Sequence, residues 1–312
     1  MYHTDVEVAV PLDLLREGRG NRFALSVDTA QRWGWPQDVF YAATWRVYYA
    51  ADADGDGPRV EVASARVPQV STLLLADAAP GDSLADYVLV GRDVDWSGRG
   101  VADRTHWQTY RGEPHHTLGR TGPGTQGAFA TTWDARWLPE QASPEDLLAG
   151  GVGGGQVGTF GVQARVLGAD GVWRVGPVRD GLTLAPRPYA VHVLTSEPAP
   201  PNWVTRADTF AQAFAQPFPH DRVTAYRLAW TSWSPCYANG LTINGHLVWS
   251  RTDDCYAWAV HEPIYDDPHA LDYLQEGRNV LATPLTPRIR GEEMVHGMEV
   301  QWPGVQVVVR VE

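Results

Sequence analysis

The most ligand-like spacing in the 312-residue chain is ADADGDGP, where Asp52, Asp54 and Asp56 stand at loop positions 1, 3 and 5 and Gly57 at position 6. Carboxylates at this spacing converge on one hard cation, as in a calcium loop. The bidentate acid expected at position 12 is missing, since Ala63 stands there and Glu61 sits at position 10. Any Ca2+ held here should therefore bind weakly, in the range of about 0.1–1 mM. The same letters also suit an acidic hairpin tip, with Asp and Gly serving the turn. A fainter echo follows in DVDWSGRGVAD, with Asp93, Asp95, Ser97 and Asp103. Residues 51–103 hold ten acids and four arginines, so half of the chain's net charge of −12 lies in one sixth of its length. Two cation loops or one solvated acidic face would each explain that.

Aromatic residues offer a second chemistry. Fourteen tryptophans is a heavy load. Trp45, Trp133, Trp173 and Trp249 fall within strand-like runs and are expected in the core. Trp33 and Trp35 differ, because RWGWPQ reads as a loop. So do Trp233 and Tyr237 in SWSPCY. A flat ring beside fixed polar groups is what sugar recognition uses: CH groups stack on the ring and hydroxyls meet the polar atoms. Arg251, Asp253 and Asp254, just beyond Trp249, are the polar candidates for the Trp233 cluster. A loop folded over a hydrophobic edge is the plainer reading.

Other constellations are weaker. His115 and His116 are adjacent, so on a strand they would point to opposite faces and not share an ion, and His106 upstream adds little. His261, Glu262, Asp266, Asp267 and His269 form a denser patch, and paired carboxylates can cleave glycosidic bonds. Spacing alone does not bring two of them to one cleft. No G-x-S-x-G elbow is present. All 25 basic residues are Arg, which excludes Schiff-base, P-loop and kinase-type lysines. A pI of about 5.2 without an Arg run argues against nucleic acid. No apolar stretch approaches a membrane-spanning length.

The elements that must position these residues are strands. FYAATWRVYYA, RVEVASARV, DYVLVGRDV, GTFGVQARVLG, VWRVGPV, YAVHVLT, RVTAYRLAW, GLTINGHLVWS and VQVVVRV are rich in β-branched and aromatic residues, and most alternate in polarity. Helical patterns are few: residues 208–215, and 143–149 with Ser143 as N-cap. ADG at 169–171 suits a tight hairpin. GGVGGG at 150–155 lacks the strand–turn–helix setting of a phosphate loop. The fold class is all-β, with tandem β-sandwiches. Cys236 and Cys255 either bridge neighbouring strands or stay as two buried thiols, and they have no metal-ligand partners.

Residues 10–50 and 267–312 share a grammar of acid, Leu-Leu or Tyr-Leu, Glu-Gly, Asn, apolar strand and long final strand. Residues 1–64 thus read as the back half of a module, expected to want a partner along its open edges. The start MYHTDVEVAVPLDLLREG carries acids where a secretory signal would be apolar.

LTINGHLVW, LDYLQEGRNVLATPL and GMEVQWPGVQVVVRV resemble the galactose-binding-like jelly roll found beside catalytic domains of bacterial glycoside hydrolases. Asn244, Gly245, Leu271, Leu274, Gly277 and Asn279 carry the likeness. It covers residues 188–312, and more faintly 1–50. The jelly-roll topology is also similar to that of bacterial peptide-N-glycosidase F, whose catalytic carboxylates have no counterpart identified here. TTWDARWLPEQ, VQARVLGADGVW and VRDGLTL resemble an immunoglobulin-like module of secreted bacterial proteins over residues 65–187. The resemblances imply a non-catalytic carbohydrate-binding or accessory protein of a larger extracellular or periplasmic system. Its partner would be a polysaccharide or glycan. A cytoplasmic location stays open. Two other readings stand beside this one: a docking subunit of a multiprotein assembly, and a glycan hydrolase using a carboxylate pair.

Overall fold

The computed structural model describes residues 9–18, 20–24, 45, 47, 57–90, 109–110, 113–114, 118–124, 128–138, 160–194, 211–234, 236, 240–253, 255, 257–283, 298–300 and 305–312. Among them the chain is all-β and forms two sandwiches. The first is built from β1 (Arg59–Val62), β2 (Arg66–Val67), β3 (Val70–Ala76), β4 (Leu84–Val90), β5 (Thr109–Tyr110), β6 (Glu113–Pro114), β7 (Gly119–Thr121), β8 (Ala130–Asp134), β9 (Phe160–Leu167), β10 (Trp173–Val175) and β11 (Arg179–Leu184). One sheet runs β1-β3-β8; the other runs β2-β11-β9-β4-β7, with β10 also on β9 and β5 paired with β6 apart. Alternation makes the core: Leu73 and Leu75 from β3 meet Ala85, Tyr87 and Leu89 from β4 and Val162, Ala164 and Val166 from β9.

RVEVASARV, read as one strand, is two. β1 pairs antiparallel with β3, whereas β2 pairs parallel with β11 in the other sheet, so the chain crosses between sheets at residues 63–65. Residues 59–62 therefore belong to the same sheet as strands beyond residue 65.

On the outward face of the larger sheet Asp86 is fully buried between two guanidiniums. Arg120 donates to it from β7 and Arg165 from β9, in one cross-strand row. A buried carboxylate needs such partners, since an uncompensated charge there costs several kcal/mol, roughly 3–5.

The second sandwich is built from β12 (Ala190–Leu194), β13 (Ala211–Gln216), β14 (Val223–Trp233), β15 (Leu241–Ile243), β16 (His246–Trp249), β17 (Trp258–His261), β18 (Ile264–Tyr265), a one-turn helix (Pro268–Leu271), β19 (Gly277–Ala282), β20 (Glu299–Val300) and β21 (Gln306–Val311). One sheet runs β12-β21-β14-β17, with β18 and β20 also on β14; the facing sheet runs β13-β19-β15-β16. Tyr226, Leu228 and Trp230 fill the space against Phe214, Leu241, Ile243 and Leu281.

The helix expected at residues 208–215 is not there: its described part, from Ala211, is β13, paired with β19 over six residues. Ala and Gln favour helix weakly, and a full ladder with Phe214 in the core outweighs that preference. Among the described residues an α-helical turn lies instead at Pro268–Leu271, opened by Asp267, whose Oδ1 accepts from the Ala270 amide at 2.9 Å, and by Pro268.

The residues behind the jelly-roll resemblance are structural. Asn244 and Gly245 both have positive φ and turn β15 into β16. Asn279 is fully buried. Its Oδ1 accepts from the Gln275 amide and from Asn244 Nδ2, and its Nδ2 donates to the Gln275 and Gly277 carbonyls. Asn244 Oδ1 in turn accepts from the Val280 amide. Two asparagines thus join the hairpin turn to the loop before β19, and the polar atoms they bury are hydrogen-bonded.

Between the sandwiches, Trp137 of the first is buried against Val191, Ala225 and Val308 on the outward face of the second. Arg310 lies over its ring at 4.7 Å and over Tyr189 at 4.3 Å. Arg187, in the connecting segment, donates to the carbonyls of Ala135, Arg136 and Leu138. Burying a ring this way stabilises by about 2–3 kcal/mol, on the scale of a Phe.

Of the tryptophans expected in the core, Trp133 is buried, while Trp173 and Trp249 are half-buried. Trp45 is 52% exposed, against Phe23 edge-on, and so corrects that expectation. Neither Phe23 nor Trp45 belongs to a strand among the described residues.

Tyr87, Tyr226 and Tyr265 donate their hydroxyls to the carbonyls of Phe129, Ala270 and Val248, and burial pushes all three phenols far above the ordinary tyrosine range. An unfolded chain ionises its tyrosines near pH 10, so stability should be complete below about pH 10 and fall as pH rises beyond it. No lysine titrates in this window. The urea midpoint should drop between about pH 9.5 and 11.5, with the 295 nm phenolate absorbance of these three rings appearing only as the chain unfolds. A midpoint independent of pH across that range contradicts this.

Candidate functional site

The site grows from β14. Side chains alternate along it, so Tyr226, Leu228 and Trp230 face the core while Arg227, Ala229 and Trp233 form the outward row. The sandwich junction covers Ala225 at one end of this row. Trp233 lies eight residues farther on, about 26 Å along the strand, and is half-buried there.

β14 pairs with β17 through Trp230↔His261, Thr231↔Val260, Ser232↔Ala259 and Trp233↔Trp258. The Ser234 amide continues the ladder to the Ala257 carbonyl at 2.9 Å. Cys236 lies three residues past Trp233 and Cys255 three before Trp258, so the continued register sets them opposite one another. They form a disulfide, with Cα atoms 5.3 Å apart. The two-thiol alternative is thereby closed. A bridge over 19 residues stabilises by about 3 kcal/mol if it acts through the unfolded chain.

The bridge ties together the two segments that carry the sequence candidates. Arg251 and Asp253 are exposed on the segment entering Cys255 and make no ion pair among the described residues. Trp233 stands on the segment leading to Cys236. Tyr237 and Asp254, next in sequence to the two cysteines, lie outside the described residues. So do Trp33 and Trp35, the acids Asp52, Asp54 and Asp56, those from Asp93 to Asp103, His106, His115 and His116, and the segments 143–149 and 150–155. Among the described residues no group of His, Cys, Asp or Glu could hold a metal ion.

Behind Trp233, on the core side, sits a polar–aromatic cluster that spacing did not reveal. His261 stacks on Trp230 at 4.6 Å, and its Nε2 is 2.8 Å from Ser232 Oγ. Trp249 meets both Trp230 and His261 edge-on. Ser232 has no exposed surface. Only the pairing of β14 with β17 brings Ser232 and His261 together, across 29 positions of sequence.

In the acidic patch at residues 261–269 the described side chains have separate partners. Glu262 lies 3.6 Å from Arg227, Asp267 caps the helical turn, and His269 Nε2 is 2.8 Å from the Tyr273 hydroxyl. Asp266 is exposed. Glu262 and Asp267 thus take part in separate local contacts.

No protein-family model matches the chain, and no curated protein matches it. Among solved structures it is similar to the crystal structure of BuGH86 in complex with neoagarooctaose, at 8% identity over 81% of this chain and 32% of that one, with a TM-score of 0.27. It is similar also to the Arthrobacter globiformis T6 isomalto-dextranase complexed with panose, at 9% identity over 78% and 35%, TM-score 0.21. A third is a carbohydrate-binding module of the β-sandwich superfamily, at 8% identity over 81% and 95%, TM-score 0.18. The chain spans about a third of the length of the first two. At these scores no residue of the site is placed by the likeness.

Proposed function

We propose that this chain is a non-catalytic carbohydrate-binding or accessory protein of a larger extracellular system, with an immunoglobulin-like first sandwich and a galactose-binding-like jelly roll as the second. The carrying observation is the disulfide-closed end of β14. There a half-exposed Trp233 stands on the outward row, and the exposed Arg251 and Asp253 lead into the bridged Cys255. Such a ring offers a stacking surface for sugar CH groups, and the flanking charges offer partners for hydroxyls. Tyr237 and Asp254 complete this site in our reading, and Trp33 and Trp35 supply a second aromatic loop. In the same reading any Ca2+ is weak and is held by Asp52, Asp54 and Asp56. An extracellular or periplasmic setting agrees with the disulfide, which persists in oxidising compartments.

Two features speak against hydrolysis as the role. Ser232, although paired with His261, has no surface from which to attack a substrate. The acids at 262–267 point to separate tasks. A docking role is the remaining alternative, and it predicts a co-purifying protein and no glycan.

On a glycan array the native chain should bind at least one polysaccharide, and Trp233→Ala should weaken retention by about 1–2 kcal/mol, roughly 5- to 30-fold. Asp266→Ala should leave it unchanged. Polysaccharide turnover that vanishes in Asp266→Ala or Glu262→Ala would promote the hydrolase instead. A second check addresses the buried pair: a fluorophosphonate probe should leave the native chain unlabelled, and adduct at Ser232 would overturn the structural assignment of that serine.

A further inference from the structure

A second stacking surface lies on the first sandwich. The turn at residues 168–172, with Gly171 at φ +77°, folds β10 back along β9 and delivers Trp173 opposite Leu167 on the outward face of the larger sheet. Cross-strand pairing puts Val175 opposite Arg165, which is opposite Asp86, which is opposite Arg120. The Arg165 guanidinium lies 4.0 Å from the centre of the Trp173 ring. Arg165 is itself buried and held on Asp86 by Nε at 2.9 Å. The ring is thus seated on a cation that a fully buried carboxylate fixes in place, and it still keeps part of its surface in solvent.

This arrangement has the parts of a ligand platform. A large planar ring is immobilised before any ligand arrives, which reduces the ordering cost of binding. Val175, 48% exposed, extends the apolar surface on the same face of β10. Arg120, its side chain 32% exposed, closes the far end of the same row on Asp86. A core tryptophan would need neither partial exposure nor a guanidinium beneath it.

We propose that Trp173 is a saccharide-stacking platform, taking the CH face of a pyranose unit. It shares its ligand class with the site at Trp233 and extends the reading given for that site, but it stands on separate residues in a separate sandwich.

Affinity electrophoresis of the full chain in gels containing soluble agarose, dextran or polygalacturonate tests it. Trp173→Ala should lower the apparent association constant 3- to 10-fold for any polymer that retards the native chain. Trp173→Tyr should retain most of it, because a flat ring remains. Native chain treated with N-bromosuccinimide should show Trp173 oxidation slowed several-fold by the same polymer, a readout that needs no substitution. Loss in Trp173→Ala with Trp233→Ala unaffected would support this platform and refute the other site; the converse would refute this one. Equal mobility of Trp173→Ala and native chain, unprotected Trp173, or no retardation by any of the three polymers overturns the proposal.

Discussion

The ladder between β14 and β17, closed by the Cys236–Cys255 bridge, is the constraint from which the rest of the second sandwich follows. β14 is eleven residues long and is paired on one side with β21 and β20, on the other with β18 and β17. Its register decides which side chains face the core. A shift of one residue would send Trp230 outward and Trp233 inward. The covalent bond falls on the continued register of β17, so it secures the alignment already set by hydrogen bonds. The same alignment brings His261 against Trp230 and Ser232 inside, and puts the half-buried Trp233 on the outward row.

Two buried polar groups on this framework are fully hydrogen-bonded, and that shapes the fold around them. Asp86 is held by two arginines in neighbouring strands, and Asn279 joins two loops through four hydrogen bonds. Such groups specify one arrangement because any other would strand them without partners. Guanidiniums hold aromatic rings in the same way. Trp137 is buried against the second sandwich beneath Arg310, and Trp173 is seated on Arg165. The chain has no lysine, so guanidiniums make these contacts, and their planar shape lets them stack on aromatic faces.

Much of this was legible in the letters, but not all of it. Alternation in RVTAYRLAW and VQVVVRV marks β14 and β21, because one side of each strand must be apolar. Asn244-Gly245 marks its hairpin, because both positions need positive φ. AQAFAQ reads as helix, because Ala and Gln carry no strand preference and the ladder with β19 is a long-range fact. The bridge was one of two options for the cysteines, since only the register between Trp233 and Trp258 decides it. Trp173 lies in a strand, and the letters do not tell which face of a sheet a neighbouring module leaves uncovered. Its pairing with Arg165, eight residues earlier, needs the turn at Gly171 to be known first. Trp45 shows the converse, a strand-like context with an exposed ring.

The central claim is that the bridged end of β14 forms a ligand-binding face. The most direct measurement compares the native chain with Cys236→Ser/Cys255→Ser for retention on the polysaccharide that the native chain prefers, with near-ultraviolet circular dichroism recorded on both. The account predicts that the variant keeps its tertiary spectrum, set by the core around Trp230, and loses most of its retention, because the segments bearing Trp233, Arg251 and Asp253 are no longer tied. A variant that retains the native spectrum and binds as tightly as the native chain would contradict it.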